Sequence, residues 1–160
     1  MTVYHSSPEI VRLPDTVHSR ANLDFGRGFY VTILKDQAIK YAQRFLLRGQ
    51  MAYLNAYEFD DAGLSSFKVL EFDSYDGAWL DYVSQCRLDR DTSDYDIVIG
   101  GIANDKVFRT IDLYFSGDIS KEDALKRLKY ECPNHQMCLR SQSIIDKCLT
   151  FRTVESIQND

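Results

Sequence analysis

No run of this chain approaches the roughly twenty apolar residues needed to cross a bilayer. The opening Met-Thr-Val-Tyr-His has neither the basic nor the apolar region of an export signal, so a cytoplasmic location is expected. Cysteine is scarce: the four residues are Cys86, Cys132, Cys138 and Cys148, and none stands in a Cys-x-x-Cys pair. That excludes a disulfide scaffold and leaves free, buried or half-buried thiols. His5, His18 and His135 are too scattered along the chain to signal a metal, and Cys132, His135 and Cys138 do not have zinc-site spacing. Also missing are the Gly-x-x-x-x-Gly-Lys phosphate loop, the Gly-x-Ser-x-Gly elbow and a helical His-Glu-x-x-His, which removes three large enzyme classes. Basic residues are outnumbered, 19 Lys and Arg against 24 Asp and Glu, for a formal net charge of -5. A surface devoted to nucleic acid is therefore disfavoured, although a local strip such as Lys126, Arg127 and Lys129 remains.

What is present suits one globular domain over residues 1–160, ordered except at its last few residues, with 12% aromatic residues to build a core. Periodicity predicts strands over 2–5, 29–33, 51–59, 67–72, 95–99, 135–139 and 149–154, and helices over 35–48, 75–88, 104–116 and from 120. A short helical piece surrounds Ile144 and Ile145, residues 8–23 read as an irregular loop, and Asp60 to Gly63 read as a turn. Asn104 and Ser120 stand where helix caps are expected, the latter in a capping box with Asp123 replacing the usual Glu. Strands and helices interleave without strict alternation. That favours an α+β fold, two small mostly antiparallel sheets packed together with flanking helices, over a doubly wound parallel sheet.

The chain is organised around Asp24-Phe25-Gly26-Arg27-Gly28-Phe29-Tyr30-Val31-Thr32, read with Tyr4-His5-Ser6-Ser7 upstream. Two glycines flanking an arginine allow a tight turn that delivers Tyr30 from a rigid base. The following helix carries Ala38, Tyr41, Ala42 and Phe45 on one face, and a flat aromatic ring would fit between Tyr30 and Tyr41. Each of these residues also has a plainer reading. His5 alone is a histidine finishing an edge strand, Tyr30 and Tyr41 alone are core aromatics, Gln136 is an edge-strand polar group, and Arg27 is a solvated loop charge that would otherwise suit a pyrophosphate. Asn104 and Asp105 cap a helix, and Trp79 and Tyr82 read as core.

These segments carry a resemblance. The strand histidine, the Gly-x-Gly-Phe-Tyr-x-Thr segment and the aromatic eleven positions past its tyrosine resemble the nicotinamide pocket of diphtheria-toxin-type ADP-ribosyltransferases, the fold of the poly(ADP-ribose) polymerases. More narrowly, Asp24 to Tyr30, Trp79 to Val83, Tyr95 to Gly100 and Ala103 to Asp105 resemble a family of small bacterial domains of unknown function assigned to that fold. Over almost the whole chain, the resemblance implies a mono-ADP-ribosyltransferase with NAD as substrate, a macromolecular acceptor and a short antitoxin partner. It implies that His5 bonds the adenosine ribose, that the backbone of Ser6 holds the carboxamide with the Ser7 hydroxyl nearby, and that Tyr30 and Tyr41 clamp nicotinamide. Gln136 would orient the reacting ribose. Three positions depart from the pattern: Ser6 where glycine is usual, Ala38 where a serine often bonds the carboxamide, and Gln136 where the polymerases have glutamate. The last removes a negative charge aimed at a cationic transition state, so chain elongation is not expected. The alternatives are a catalytically impaired NAD-binding or protein-interaction domain, and a simple NAD glycohydrolase. The acceptor would be protein rather than nucleic acid on charge grounds.

Overall fold

In the computed structural model, which describes residues 1–159, seven strands and five helices form an α+β fold with two sheets. The strands are β1 (Thr2–Ser7), β2 (Phe29–Val31), β3 (Tyr53–Phe59), β4 (Val69–Glu71), β5 (Ile97–Gly100), β6 (Gln136–Leu139) and β7 (Leu149–Ser156). The helices are α1 (Lys35–Leu47), α2 (Gly77–Arg87), α3 (Asp105–Phe115), α4 (Lys121–Leu128) and α5 (Gln142–Cys148). One sheet has the order β1-β3-β7 and is wholly antiparallel; the other has the order β2-β6-β5-β4, with only β4 and β5 parallel.

The inner core lies between the sheets. Val3, Phe29, Val31, Tyr57, Phe59, Ile97, Met137 and Leu139 meet there, with Ile144, Ile145 and Cys148 of α5 closing one end. The opposite face of the second sheet carries Tyr30, Val98 and Cys138 and is covered by Trp79, Leu80 and Val83 of α2, Val107 and Ile111 of α3, and Ala124 and Leu128 of α4. The small residues Ala38 and Ala42 let α1 lie close over the outer face of the first sheet. Burying this much apolar surface, at roughly 25 cal/mol per Å², is what holds two short sheets together.

Helix caps follow the sequence. Asn104 accepts from Val107 N–H at 2.9 Å and Ser120 from Asp123 N–H at 3.1 Å. Both sides of β3 are covered as its pattern predicts, although Met51 lies outside the strand and is exposed. Three expectations need correction. The segment 67–72 pairs only over Val69–Glu71, because it is an edge strand and Phe67 N–H is taken by Leu64 O at the end of a 3₁₀ helix, Asp61–Ser66, that extends the expected turn. β1 runs two residues beyond His5, since β3 continues to pair with it through Ser7. Cys132 is exposed, because it lies in the irregular link after α4, whereas the other three free thiols are buried. Residues 157–159 have no regular structure, and Asp160 lies outside the described residues.

The turn at 24–30 explains its own composition. Gly26 has φ +79°, a conformation that side chains disfavour, and a Cβ on Gly28 would stand 2.5 Å from Cys138 Sγ and 2.7 Å from Leu139 O. The Asp24 carboxylate, almost fully buried, receives Arg87 Nε at 2.7 Å and Ala103 N–H at 2.7 Å, which ties the turn to α2 and to the link between β5 and α3. Gly28→Ala should therefore overpack the β2–β6 contact and lower stability by about 2–3 kcal/mol, since one clash is with backbone. Gly49→Ala meets open space and should cost only the left-handed backbone term, about 1 kcal/mol. Urea denaturation of both variants checks this, and equal losses would contradict it.

Candidate functional site

The two sheets meet at one bridge and then part. Tyr4 N–H donates to Thr32 O at 2.8 Å and Thr32 N–H to Tyr4 O at 3.0 Å, an antiparallel pair outside both ladders. In an antiparallel pairing both backbone groups of one residue face the same neighbour, and alternate residues face alike. The next pair in that register would be Ser6 with Tyr30. It does not form: His5 Nδ1 takes Tyr30 O at 2.7 Å instead. The N–H and C=O of Ser6, a buried residue, therefore point toward β2 without pairing with Tyr30. Among the described residues only Asn22 and Asp89 combine a side chain with positive φ, so Ser6 keeps an ordinary extended backbone despite standing where glycine is usual.

Because a carbonyl can only accept, His5 Nδ1 carries the proton and Nε2 keeps its lone pair. Burial lowers the pKa of His5, with the bond to Tyr30 O opposing, and the ring lies 4.3 Å from that of Phe29. The imidazole is thus neutral and fixed in one tautomer. On the side of β1 facing α1, the Ser6 hydroxyl donates to Ala38 O. Ser7 Oγ accepts from Glu9 N–H at 3.1 Å and opens the loop.

Tyr30 and Gln136 share a face of the second sheet. Tyr30 opposes Cys138, and Gln136 stands two residues along β6 on the same side, opposite Gly100. Tyr30 Oη donates to Gly26 O at 2.6 Å and accepts from Phe25 N–H at 3.1 Å, so the phenol closes the turn that delivers it, and burial raises its pKa. The Gln136 Oε1 atom is buried and has no hydrogen-bond partner, a condition that costs about 1–3 kcal/mol unless something supplies a donor. Tyr41 is 43% exposed on α1, edge-on to Phe45 at 5.8 Å and with the Arg44 guanidinium 4.8 Å from its ring centre.

The structure thus joins His5 to the backbone of Tyr30, places Tyr30 and Gln136 on one face, and hangs Tyr41 on the helix that Ser6 touches. It does not merge the side chains: His5 lies against Phe29 at the strand edge, whereas the Tyr30 ring packs with the outer core. Arg27 is exposed and donates to Val17 O at 3.3 Å, so in this structure it braces the loop. His18 pairs with Asp15 in that loop, away from the gap. Two surface hollows lie elsewhere, one beside Arg12, Gln142 and Phe151 and one beside Tyr75, Leu125 and Lys129.

Sequence reasoning missed several supports. Asn55, fully buried in β3, donates to His5 O and Glu9 O, both at 3.3 Å, and accepts from Val11 N–H at 2.9 Å, fixing the root of the loop. Gln37 holds both backbone groups of His135. The signal for Asn55 was available: asparagine between Leu54 and Ala56 in a strand covered on both faces contradicts strand propensity and needs a specific partner. Among the described residues no group of three His, Cys, Asp or Glu is placed to hold a metal, and no helix is long and apolar enough to cross a membrane.

A family model described as "Protein of unknown function (DUF3990)" matches residues 1–151. No curated protein and no solved structure matches.

The burial of His5 and His135, each with a lowered pKa, has a stability consequence. Both take up protons less readily folded than unfolded, so stability is fully present above the ordinary histidine value of 6.5 and declines as pH falls below it. The carboxylates held low by ion pairs, such as Glu58 and Asp94, add their own loss only at more acid pH. The urea midpoint should fall between pH 7 and pH 5, and His5→Gln should flatten that slope. An unchanged slope in the variant would refute the assignment.

Proposed function

The chain belongs to that family of unknown function, and we propose that it is a mono-ADP-ribosyltransferase using NAD as substrate, acting on a macromolecular acceptor as the toxin of a toxin-antitoxin pair. The observation that carries the reading is the parting of β1 from β2. The Ser6 N–H and C=O, left without a strand partner on the β2 side, would offer one donor and one acceptor in extended backbone, the complement of a primary carboxamide such as that of nicotinamide. The His5 Nε2 lone pair would accept from an adenosine ribose hydroxyl. The orphaned Gln136 Oε1 would accept from the hydroxyl of the reacting ribose, which explains why a buried oxygen is left without a donor. Tyr41, the accessible aromatic, would offer its face to the pyridinium ring, with Tyr30 walling the site from the sheet.

In this mechanism the C1′–N1 glycosidic bond breaks first, and its electron pair leaves on nicotinamide, which becomes neutral. The oxocarbenium ion left on the ribose is attacked at C1′ by a lone pair of the acceptor, whose proton passes to water. Gln136 orients the ribose without contributing negative charge, so the rate is low compared with an enzyme bearing glutamate there. The net charge of -5 favours a protein acceptor. The neutrality of Gln136 and the engagement of the Tyr30 hydroxyl in its own turn favour a second reading, an NAD-binding or protein-interaction domain with impaired catalysis.

Incubating the purified chain with NAD should release nicotinamide and label protein in a cell extract. Gln136→Glu should raise release about tenfold or more, by restoring charge beside the cation. Tyr41→Ala should weaken NAD binding about fivefold. Binding without release or labelling would replace the enzyme reading by the second one, and free ADP-ribose without labelled protein would indicate hydrolysis. No NAD binding at all would end both.

A further inference from the structure

We propose that Gln37 is a positioning residue, which makes the first turn of α1 a bracket tying the helix that carries Tyr41 to the backbone just before Gln136. This rests on the function proposed above. Gln37 Nε2 donates to His135 O at 2.8 Å, and Gln37 Oε1 accepts from His135 N–H at 3.1 Å. His135 is the residue just before β6, beyond its pairing with β2 and β5, so no strand offers it a partner. One planar carboxamide supplies both missing bonds. The contact is reciprocal, because His135 Nδ1 accepts from Ile33 N–H at 3.4 Å.

Helix α1 needs such holding. Its N-cap residue, Leu34, has no side-chain cap, so its start is secured from outside: by His135 through Gln37 and Ile33, and by β1 through the Ser6 hydroxyl on Ala38 O. Two strands of different sheets are thereby fixed to one helical turn, beside the gap where those sheets part. Gln37 and Tyr41 are four residues apart and share a side of α1. The next residue after His135 is Gln136. A bond pair at position 37 consequently links the helix that carries the exposed aromatic ring to the backbone that leads into the orphaned carboxamide. The requirement is specific: glutamate lacks the donor when ionised, lysine lacks the acceptor, and asparagine is one methylene shorter.

The test compares Gln37→Ala and Gln37→Glu with wild type in nicotinamide release and in amide hydrogen exchange. Gln37→Ala should lower kcat about tenfold while KM for NAD changes less than about threefold, since binding groups stay and only their alignment with the reacting ribose is lost. Exchange should quicken at residues 135–137 and at Ile33, with β5 unchanged. Gln37→Glu should recover activity relative to wild type as pH falls from about 6 to about 4, because the protonated acid regains a donor, whereas the alanine variant's ratio stays flat. Unchanged exchange in Gln37→Ala overturns the bracket. So does a parallel collapse of kcat, KM and the unfolding midpoint, which would mean support of the fold alone. Should wild type release no nicotinamide, the function proposal falls, and exchange alone decides: faster exchange at 135–137 sustains the bracket and unchanged exchange overturns it.

Discussion

The molecule depends on a strand pairing that starts and is not allowed to continue. After the Tyr4–Thr32 bridge, β1 and β2 have the register to form a further pair and would fuse the two sheets along that edge. One side chain opposes this: the His5 imidazole occupies the Tyr30 carbonyl that the pair would need. An open sheet edge inside a protein invites pairing and is normally covered or blocked. Here one carbonyl is blocked by an imidazole, and the Ser6 backbone is left without a strand partner on that side.

The most distinctive stretch of the sequence turns out to serve the backbone first. Asp24 anchors through Arg87 and Ala103, Phe25 fills the outer core, Gly26 takes the left-handed turn, and Gly28 lets β2 touch β6. The Tyr30 hydroxyl then closes the turn on Phe25 and Gly26. Breaking the buried Asp24–Arg87 pair would leave an uncompensated charge, which typically costs about 3–5 kcal/mol. A segment with this much internal constraint sets the level of β2 against β1, and so the width of the gap.

Much of the fold was legible in the sequence for physical reasons that act locally. The apolar spacing of α1, the run Ile97–Ile99 and the caps at Asn104 and Ser120 each report their own surroundings. Sheet order was not legible, because nothing in Phe67–Phe72 shows that it pairs parallel to β5 over three residues only. At the site, His5, Ser6, Tyr30 and Gln136 were legible as a pattern, but the roles of Gln37 and Arg87 were not. A polar residue on an amphipathic helix looks the same in sequence whether it meets water or a backbone 98 positions away. Only the folded chain separates the two.

The electrostatics of the gap give the proposed chemistry its character. Burial keeps His5 neutral, Gln136 carries no charge, and the nearby Asp24 carboxylate is already engaged by Arg87. A pyridinium ring entering there would meet lone pairs and an aromatic face instead of a carboxylate. Such groups attract a cation less strongly than a buried negative charge does, yet they cost less to bury than an ionised carboxylate would. On the proposed reading, the chain binds its dinucleotide through backbone and ring geometry and leaves most of the charge stabilisation of bond cleavage undone. Rapid transfer would then require an acidic group brought by the acceptor itself, and that would restrict cleavage to complexes in which the acceptor is already in place.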